Sequence, residues 1–308
     1  MDNIKYNLEN GMIPNPGFSE EGGEKLHVDT TLGYVHLNIA DMQCSVDFYQ
    51  KALGFQIQKD EVGTIYLGAG GDDLLVLTEI PGAVKYPRRS GLYHFAILTP
   101  SRQALSRSLR NLIDTETAMQ GGADHLVSEA LYLADPDGNG IEIYRDRPRS
   151  EWQYDNGGLI MATDPLDFQG ILREIKGEKG QWEGLESGTR LGHLHLHVAN
   201  LDQATNFYEK VLGFDFLLNY MGSASFLSAG GYHHHIGLNT WNGIGAPPPP
   251  PDAAGLRYFS VHLVGEDERQ KLIKRLEQAN WSFEERGSSI FLRDPSQNAI
   301  LFGTAADN

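Results

Sequence analysis

Residues 32–55 read LGYVHLNIADMQCSVDFYQKALGF, and residues 191–214 read LGHLHLHVANLDQATNFYEKVLGF. The two stretches align without a gap at an offset of 159 (191 − 32). Eleven of the 24 aligned positions are identical, including a histidine in the same slot, His36 and His195. A repeat of this length marks a duplicated architecture. Within it, Val35, Leu37 and Ile39 alternate with Tyr34, His36 and Asn38, which is the period of a strand. Ser45–Leu53 then carries an apolar stripe of Val46, Tyr49 and Leu53 at helical spacing, with Gly54 placed to end the helix. The stretch therefore predicts a strand, a helix and a return to strands at Phe55–Lys59, Thr64–Leu67 and Leu74–Thr78.

The same unit recurs along the chain. Tyr93–Leu98 predicts a strand, Arg102–Ile113 a helix, and Leu131–Ala134 and Gly140–Tyr144 two further strands. The last two are joined by Asp135-Pro136-Asp137-Gly138-Asn139, which is hairpin chemistry. In the second half, Leu194–Ala199, Ala224–Leu227 and His234–Leu238 read as strands around a helix at Leu201–Leu212. A fourth unit follows the Pro-rich loop Pro247–Pro251, with strands Tyr258–Leu263, Ser289–Leu292 and Ala299–Phe302 and a helix at Asp267–Ala279. Its turn, Asp294–Asn298, repeats the earlier one at the same offset (294 − 135 = 159). The expected fold class is α+β: four βαβββ modules in two paired-module domains with curved mixed sheets. The expected divisions are an N-terminal arm (1–30), an N-terminal domain (31–148), a linker (149–188) with one helical turn at Leu166–Ile175, and a C-terminal domain (189–308).

Bulk properties narrow the function. The formal charge is −16, from 25 basic and 41 acidic residues, and the longest basic run is the short Lys85–Arg89 segment, which argues against nucleic-acid binding. No apolar run approaches a membrane span, and the N-terminus lacks a signal-peptide pattern. The single Cys44 fits a reducing, cytoplasmic setting. Exposed sheet edges make homo-oligomerisation an expectation to test.

His36 and His94 sit on the opening strands of the first two units, and Glu142 sits on the closing strand of the second. If these two units pack by a pseudo-twofold, two imidazoles and one carboxylate meet as a facial set on a divalent metal with open positions. Non-haem Fe(II) suits that set, and Mn(II), Zn(II) and Ni(II) fit the same donors. The second half lacks the equivalent set: the His94 slot holds Tyr258 and the Glu142 slot holds Leu301. Histidines still crowd it. His193, His195 and His197 share one face of their strand, while His233 and His235 oppose His234 on another. A second site from His195, His235 and Tyr258 stands beside the alternative of a degenerate copy.

These features resemble the vicinal oxygen chelate superfamily. The carrying motifs are Asp41, Ser45, Phe48-Tyr49 and Leu53-Gly54-Phe55 in unit one, and DPDGNGIE (135–142). More narrowly, GLYHFAIL (91–98), SEALYLADPDGNGIEIYRDRPR (128–149), LGHLHLHV (191–198) and SAGGYHHHIGLNTW (228–241) are similar to two-domain catechol-2,3-dioxygenase-like proteins. The resemblance implies extradiol cleavage of a catechol-like aromatic by dioxygen on a divalent metal. It differs in one respect: the well-studied two-domain enzymes hold their metal in the C-terminal domain, so their acid–base residues do not transfer by position. Within the N-terminal half, His125 is the expected acid–base group and Tyr132 the expected pocket residue. Tyr93 also neighbours the site, but strict alternation turns it away from His94. Two other readings remain. A glyoxalase-like isomerase or lyase would want a fourth protein ligand on the closing strand of unit one, where Leu75 stands, or Asp73 after a register shift. A non-catalytic aromatic-binding or resistance protein would use the aromatic tract Tyr220–Trp241.

Overall fold

The computed structural model describes residues 24–155, 158–180 and 182–304, together with the backbone of a short strand at Met12–Pro14. Most of the N-terminal arm expected over 1–30 lies outside the described residues. Four modules follow one another. The first comprises β1 (Thr31–Ile39), α1 (Met42–Lys51), β2 (Gln56–Glu61), β3 (Thr64–Gly68) and β4 (Asp73–Glu79). The second comprises β5 (Gly91–Leu98), α2 (Arg102–Asp114), β6 (Met119–Asp124), β7 (Ser128–Ala134) and β8 (Gly140–Asp146). After a connecting segment with α3 (Phe168–Arg173) come β9 (Arg190–His197), α4 (Leu201–Asn206), β10 (Asp215–Tyr220), β11 (Ala224–Ser228) and β12 (Ile236–Asn239). The last module comprises β13 (Gly255–Leu263), α5 (Gly265–Gln278), β14 (Phe283–Arg286), β15 (Ser289–Arg293) and β16 (Ala299–Thr304). The expected α+β architecture of four βαβββ modules is the one observed.

The modules pair across the middle of the chain. One sheet has ten strands in the order Met12–Pro14, β10, β11, β12, β9, β5, β8, β7, β6, Asp164–Pro165, and so joins modules two and three. The other has eight, in the order β14, β15, β16, β13, β1, β4, β3, β2, and joins modules one and four. The segments 31–148 and 189–308 are thus sequence repeats that do not each close a sheet of their own. At the centre of each sheet two opening strands run antiparallel, β9 on β5 and β13 on β1. The closing strands β8, β12, β4 and β16 flank them in parallel.

Local chemistry sets the elements. Asp41 caps α1 by accepting from the Cys44 amide at 2.8 Å, so the helix begins three residues before the first expected position. Asn200 caps α4 in the same way. The stretch Phe207–Leu212, expected as continuous α-helix, is wound as a π-helical turn and ends on left-handed Gly213. Strands β6, β10 and β14 were not among the expected elements. Their half-exposed, polar-rich sequences lack the apolar alternation that marks the others.

The two halves are stapled identically. Tyr49 on α1 donates to Asp135 in the β7–β8 turn at 2.8 Å, and Tyr208 donates to Asp294 in the β15–β16 turn at 3.2 Å. All four groups are buried. A phenol on a buried carboxylate contributes about 1.5–3 kcal/mol. Each staple runs from a helix of one sheet's module to a turn of the other's, so the two sheets are locked by side chains as well as by connectivity.

Candidate metal centre

On β5 and β8 the side chains sort by strand alternation. Phe95, Ile97, Ile141 and Ile143 face the helices and join the main core, while Ala96, Glu142 and Tyr144 face the concave side. Register then fixes a row across four strands: His193 on β9 pairs with Ala96, Ala96 with Glu142, and Glu142 with Tyr132. Ala96 is small and fully buried, so His193 reaches over it, and its Nε2 lies 3.0 Å from Glu142 Oε2. His94, one row along, brings its Nε2 to 3.2 Å from the same oxygen. The three ligand atoms lie within 4.8 Å of one another, and all three residues are buried.

The electrostatics suit a cation. Burial opposes ionisation of Glu142, but His193 and His94 outweigh it and hold the carboxyl well below the usual carboxylate range. Burial lowers His193 to about 4, so its imidazole is neutral near pH 7 and has a lone pair to offer. His94 Nε2 is buried without a hydrogen-bond partner of proper geometry. An orphaned nitrogen converging with a neutral imidazole and a carboxylate is a donor set that fits a divalent ion.

The expected set of His36, His94 and Glu142 is therefore corrected at one position. His94 and Glu142 meet, but the second imidazole is His193. His36 lies on β1 in the other sheet, where its Nε2 bonds to Thr78 Oγ1 at 2.7 Å. A signal for His193 was present in the sequence: aligning RLGHLHLH (190–197) with GLYHFAIL (91–98) puts His193 on His94, at an offset of 99 (193 − 94). The pairing of β9 with β5 obeys that equivalence, since His193 faces Ala96 and His195 faces His94. By the same symmetry the position matching Glu142 is Gly237, which pairs with His195. No fourth protein ligand projects there. Leu75 and Asp73, the expected fourth-ligand positions, are on β4 of the other sheet.

The centre forms part of the floor of a cavity of about 550 Å³. One wall comes from module two and the connecting segment: Tyr132, His125, Gln120, Ser128 and Thr163. The opposite wall comes from module three: Leu218, Tyr220, Phe226, His234 and Trp241. Tyr132 and His125 thus both line the cavity. His125 Nδ1 bonds to the Ala162 carbonyl at 2.7 Å, which can only accept. That nitrogen therefore carries the proton, and in the neutral ring Nε2 accepts from the Tyr132 hydroxyl at 2.6 Å. Burial, aided by the charge of Glu142, raises Tyr132 well above the ordinary phenol range, so it stays a neutral donor. Tyr93 lines the cavity too. The register slips beside it, and the resulting bulge turns it back to lie against His195, His197 and Trp241.

The histidine run at 233–235 precedes β12 instead of belonging to it. Gly230 and Gly231 both adopt left-handed φ (62° and 65°), and this double turn delays the strand to Ile236. His235 Nδ1 accepts from the Ala229 amide, and Tyr258 is on the other sheet, so the alternative second set of His195, His235 and Tyr258 does not assemble. His233 and His234 form a relay. His233 Nε2 donates to Asp146 Oδ1 at 2.9 Å, and its Nδ1 lies 2.9 Å from His234 Nδ1. In the tautomer of His233 that donates to Asp146 from Nε2 alone, Nδ1 is left to accept. His234 therefore carries its proton on Nδ1, and its Nε2 is the open nitrogen. Burial drives the His234 pKa well below the ordinary value. Sequence reasoning gave neither the loop nor the relay.

No helix among the described residues is long and apolar enough to cross a membrane. A model of the Glyoxalase/Bleomycin resistance protein/Dioxygenase superfamily matches residues 31–143 and again 190–302. A catechol-2,3-dioxygenase of Bacillus subtilis (strain 168) is 48% identical over 281 residues, covering 90% of this chain and 98% of that protein. Solved structures share the fold at far lower identity. A Bacillus subtilis protein has 14% identity and a TM-score of 0.62, covering 91% of this chain and 86% of its own. Glyoxalase I from Zea mays has 13% identity and a TM-score of 0.53, covering 91% and 94%. With both repeats matched and a relative aligned over nearly its whole length, this chain belongs to the Glyoxalase/Bleomycin resistance protein/Dioxygenase superfamily.

Proposed function

We propose that the protein is a metal-dependent extradiol dioxygenase that cleaves a catechol-like aromatic with dioxygen, using Fe(II) held by His94, His193 and Glu142. The observation that carries this reading is the convergence of those three donors, with glycine at the fourth symmetric position. Two imidazoles and one carboxylate leave room for a chelating diol and dioxygen together. A divalent ion held by these three residues would lower the pKa of the substrate hydroxyls and gather the reactants. The near-full-length likeness to a catechol-2,3-dioxygenase supports the same reaction. The exposed, unpaired Cys44 suits a reducing cytoplasm.

The chain's own groups handle protons and orientation. His234 presents an open Nε2 and takes a proton from one substrate hydroxyl. Asp146 and His233 fix the tautomer that makes this transfer feasible. On the other wall, the Tyr132 hydroxyl donates to His125 Nε2 and its oxygen is left to accept from a protonated substrate oxygen over the centre. Both atoms of dioxygen end in the ring-opened product as the carbon–carbon bond beside the diol breaks.

The glyoxalase-like alternative wants a fourth protein ligand, and Gly237 does not supply one. Elemental analysis of anaerobically purified protein, followed by oxygen uptake with catechol, tests the proposal. Stoichiometric iron with catechol-dependent uptake is expected. Metal without uptake would point to an isomerase or lyase, and absence of metal to a binding protein.

A further inference from the structure

The two walls of the cavity differ in chemistry, and the sheet order keeps them apart. Strands β6 and β7 carry Gln120 and Tyr132 on one flank of the ligand-bearing strands, with His125 and Thr163 beside them. Strands β10 and β11 carry Leu218, Tyr220 and Phe226 on the other flank. Trp241 follows β12 and lies 5.1 Å, ring centre to ring centre, from His195. The first wall hydrogen-bonds. The second offers mainly ring faces and aliphatic carbon.

Neither wall carries a cation. Among the described residues that line the cavity there is no lysine and no arginine. Apart from the divalent ion of the proposed function, the lining holds a single carboxylate, that of Glu142, and it belongs to the ion's own donor set. The whole chain adds a formal charge of −16. A carboxylate on the substituent would therefore leave water and find no lysine or arginine on either wall to pair with. An apolar substituent would instead be buried against Leu218, Phe226 and Trp241. The space also exceeds what an unsubstituted catechol fills, since cavities of about 300–1,000 Å³ take ligands of drug size.

We infer that the substrate is a catechol bearing a bulky, uncharged, apolar substituent, and that Leu218 and Phe226 set this specificity. The inference rests on the dioxygenase reading for the diol and on the module-three wall for the substituent. The diol lies over His94, Glu142 and His193, with the substituent directed toward β10 and β11.

The test compares 4-propylcatechol with 3,4-dihydroxyphenylacetate, which has similar bulk but an anionic end. Two readouts are used. One is kcat/KM by oxygen uptake. The other is anaerobic binding followed by Trp fluorescence, with Trp241→Phe identifying the signal of the half-exposed Trp241. The alkyl compound should be favoured about 100-fold in both readouts. Leu218→Arg and Phe226→Arg, made separately so that either can serve if the other does not fold, should shrink that ratio by improving the acid. Equal or better use of the acid by the unmodified protein would overturn the inference. Tight, selective binding of the alkyl compound with no ring cleavage would overturn the dioxygenase reading while upholding the specificity.

Discussion

The molecule contains two cups of the same construction, and only one of them is equipped. In the cup of modules two and three, the key positions hold His94, His193, Glu142, Ala96 and Gly237. Register places Tyr258, Tyr34, Leu301, Ser260 and Val76 at the same positions in the cup of modules one and four. Tyr34 and Tyr258 stand where the two imidazoles would be, and their hydroxyls lie 3.2 Å apart. The second cup has thus replaced three converging donors by a phenol pair and a leucine. The scaffold supplies the convergence, and a few side chains decide whether it binds an ion.

The largest expected effect comes from emptying the equipped cup. Glu142→Ala should abolish stoichiometric metal and drive ring cleavage below detection, measured by elemental analysis and oxygen uptake. Retained metal would show that the two cups do not differ as described. Ala96→Leu removes no donor but fills the space over which His193 reaches. It should weaken metal affinity by about 100-fold, as disturbed ligand support commonly does, while the far-ultraviolet spectrum stays native. Asp146→Asn leaves the three donors in place and loosens only the tautomer of His234. It should lower kcat about tenfold with metal content unchanged.

The smallest effect lies in the other cup. His36→Asn should leave metal content and turnover unaltered. It should, however, change acid stability. Burial lowers His36 from 6.5 to about 3, so on acidification the unfolded chain takes the proton first. The stability from a neutral buried His36 is complete above about pH 6.5 and is lost as pH falls toward 3. Removing the ring should flatten urea midpoints across that window. An unchanged slope would mean that the ring is not the group that resists protonation there.

Much of this was legible in the residues alone. The modules and the converging donors His94 and Glu142 follow from strand alternation and repeat alignment, Tyr132 from its place on a neighbouring strand, and His125 stands out as the remaining histidine of the first two modules. Module pairing does not. Each opening strand has a similar apolar pattern, and its partner is chosen by contacts as distant as the Tyr34 amide on Ser260 Oγ, 226 positions away. With modules one and two assumed to pair, His36 was the natural second imidazole. With two and three paired, His193 is. Tyr93 and the 233–235 run escaped prediction for a local reason: a bulge and a double left-handed turn each break the alternation on which facing was inferred.

The cross-chain pairing of modules also governs how the polypeptide matures on the ribosome. When the first half has emerged, β1 and β5 each lack the partner that will lie between them and solvent, and both are exposed as unpaired strand edges. β5 waits for β9, and β1 waits for β13, which is translated last but for the closing elements. The nascent chain must therefore shield the β5 edge until Arg190–His197 emerges and the β1 edge through most of its synthesis, a burden that chaperone engagement and slow, non-local sheet closure would both reflect.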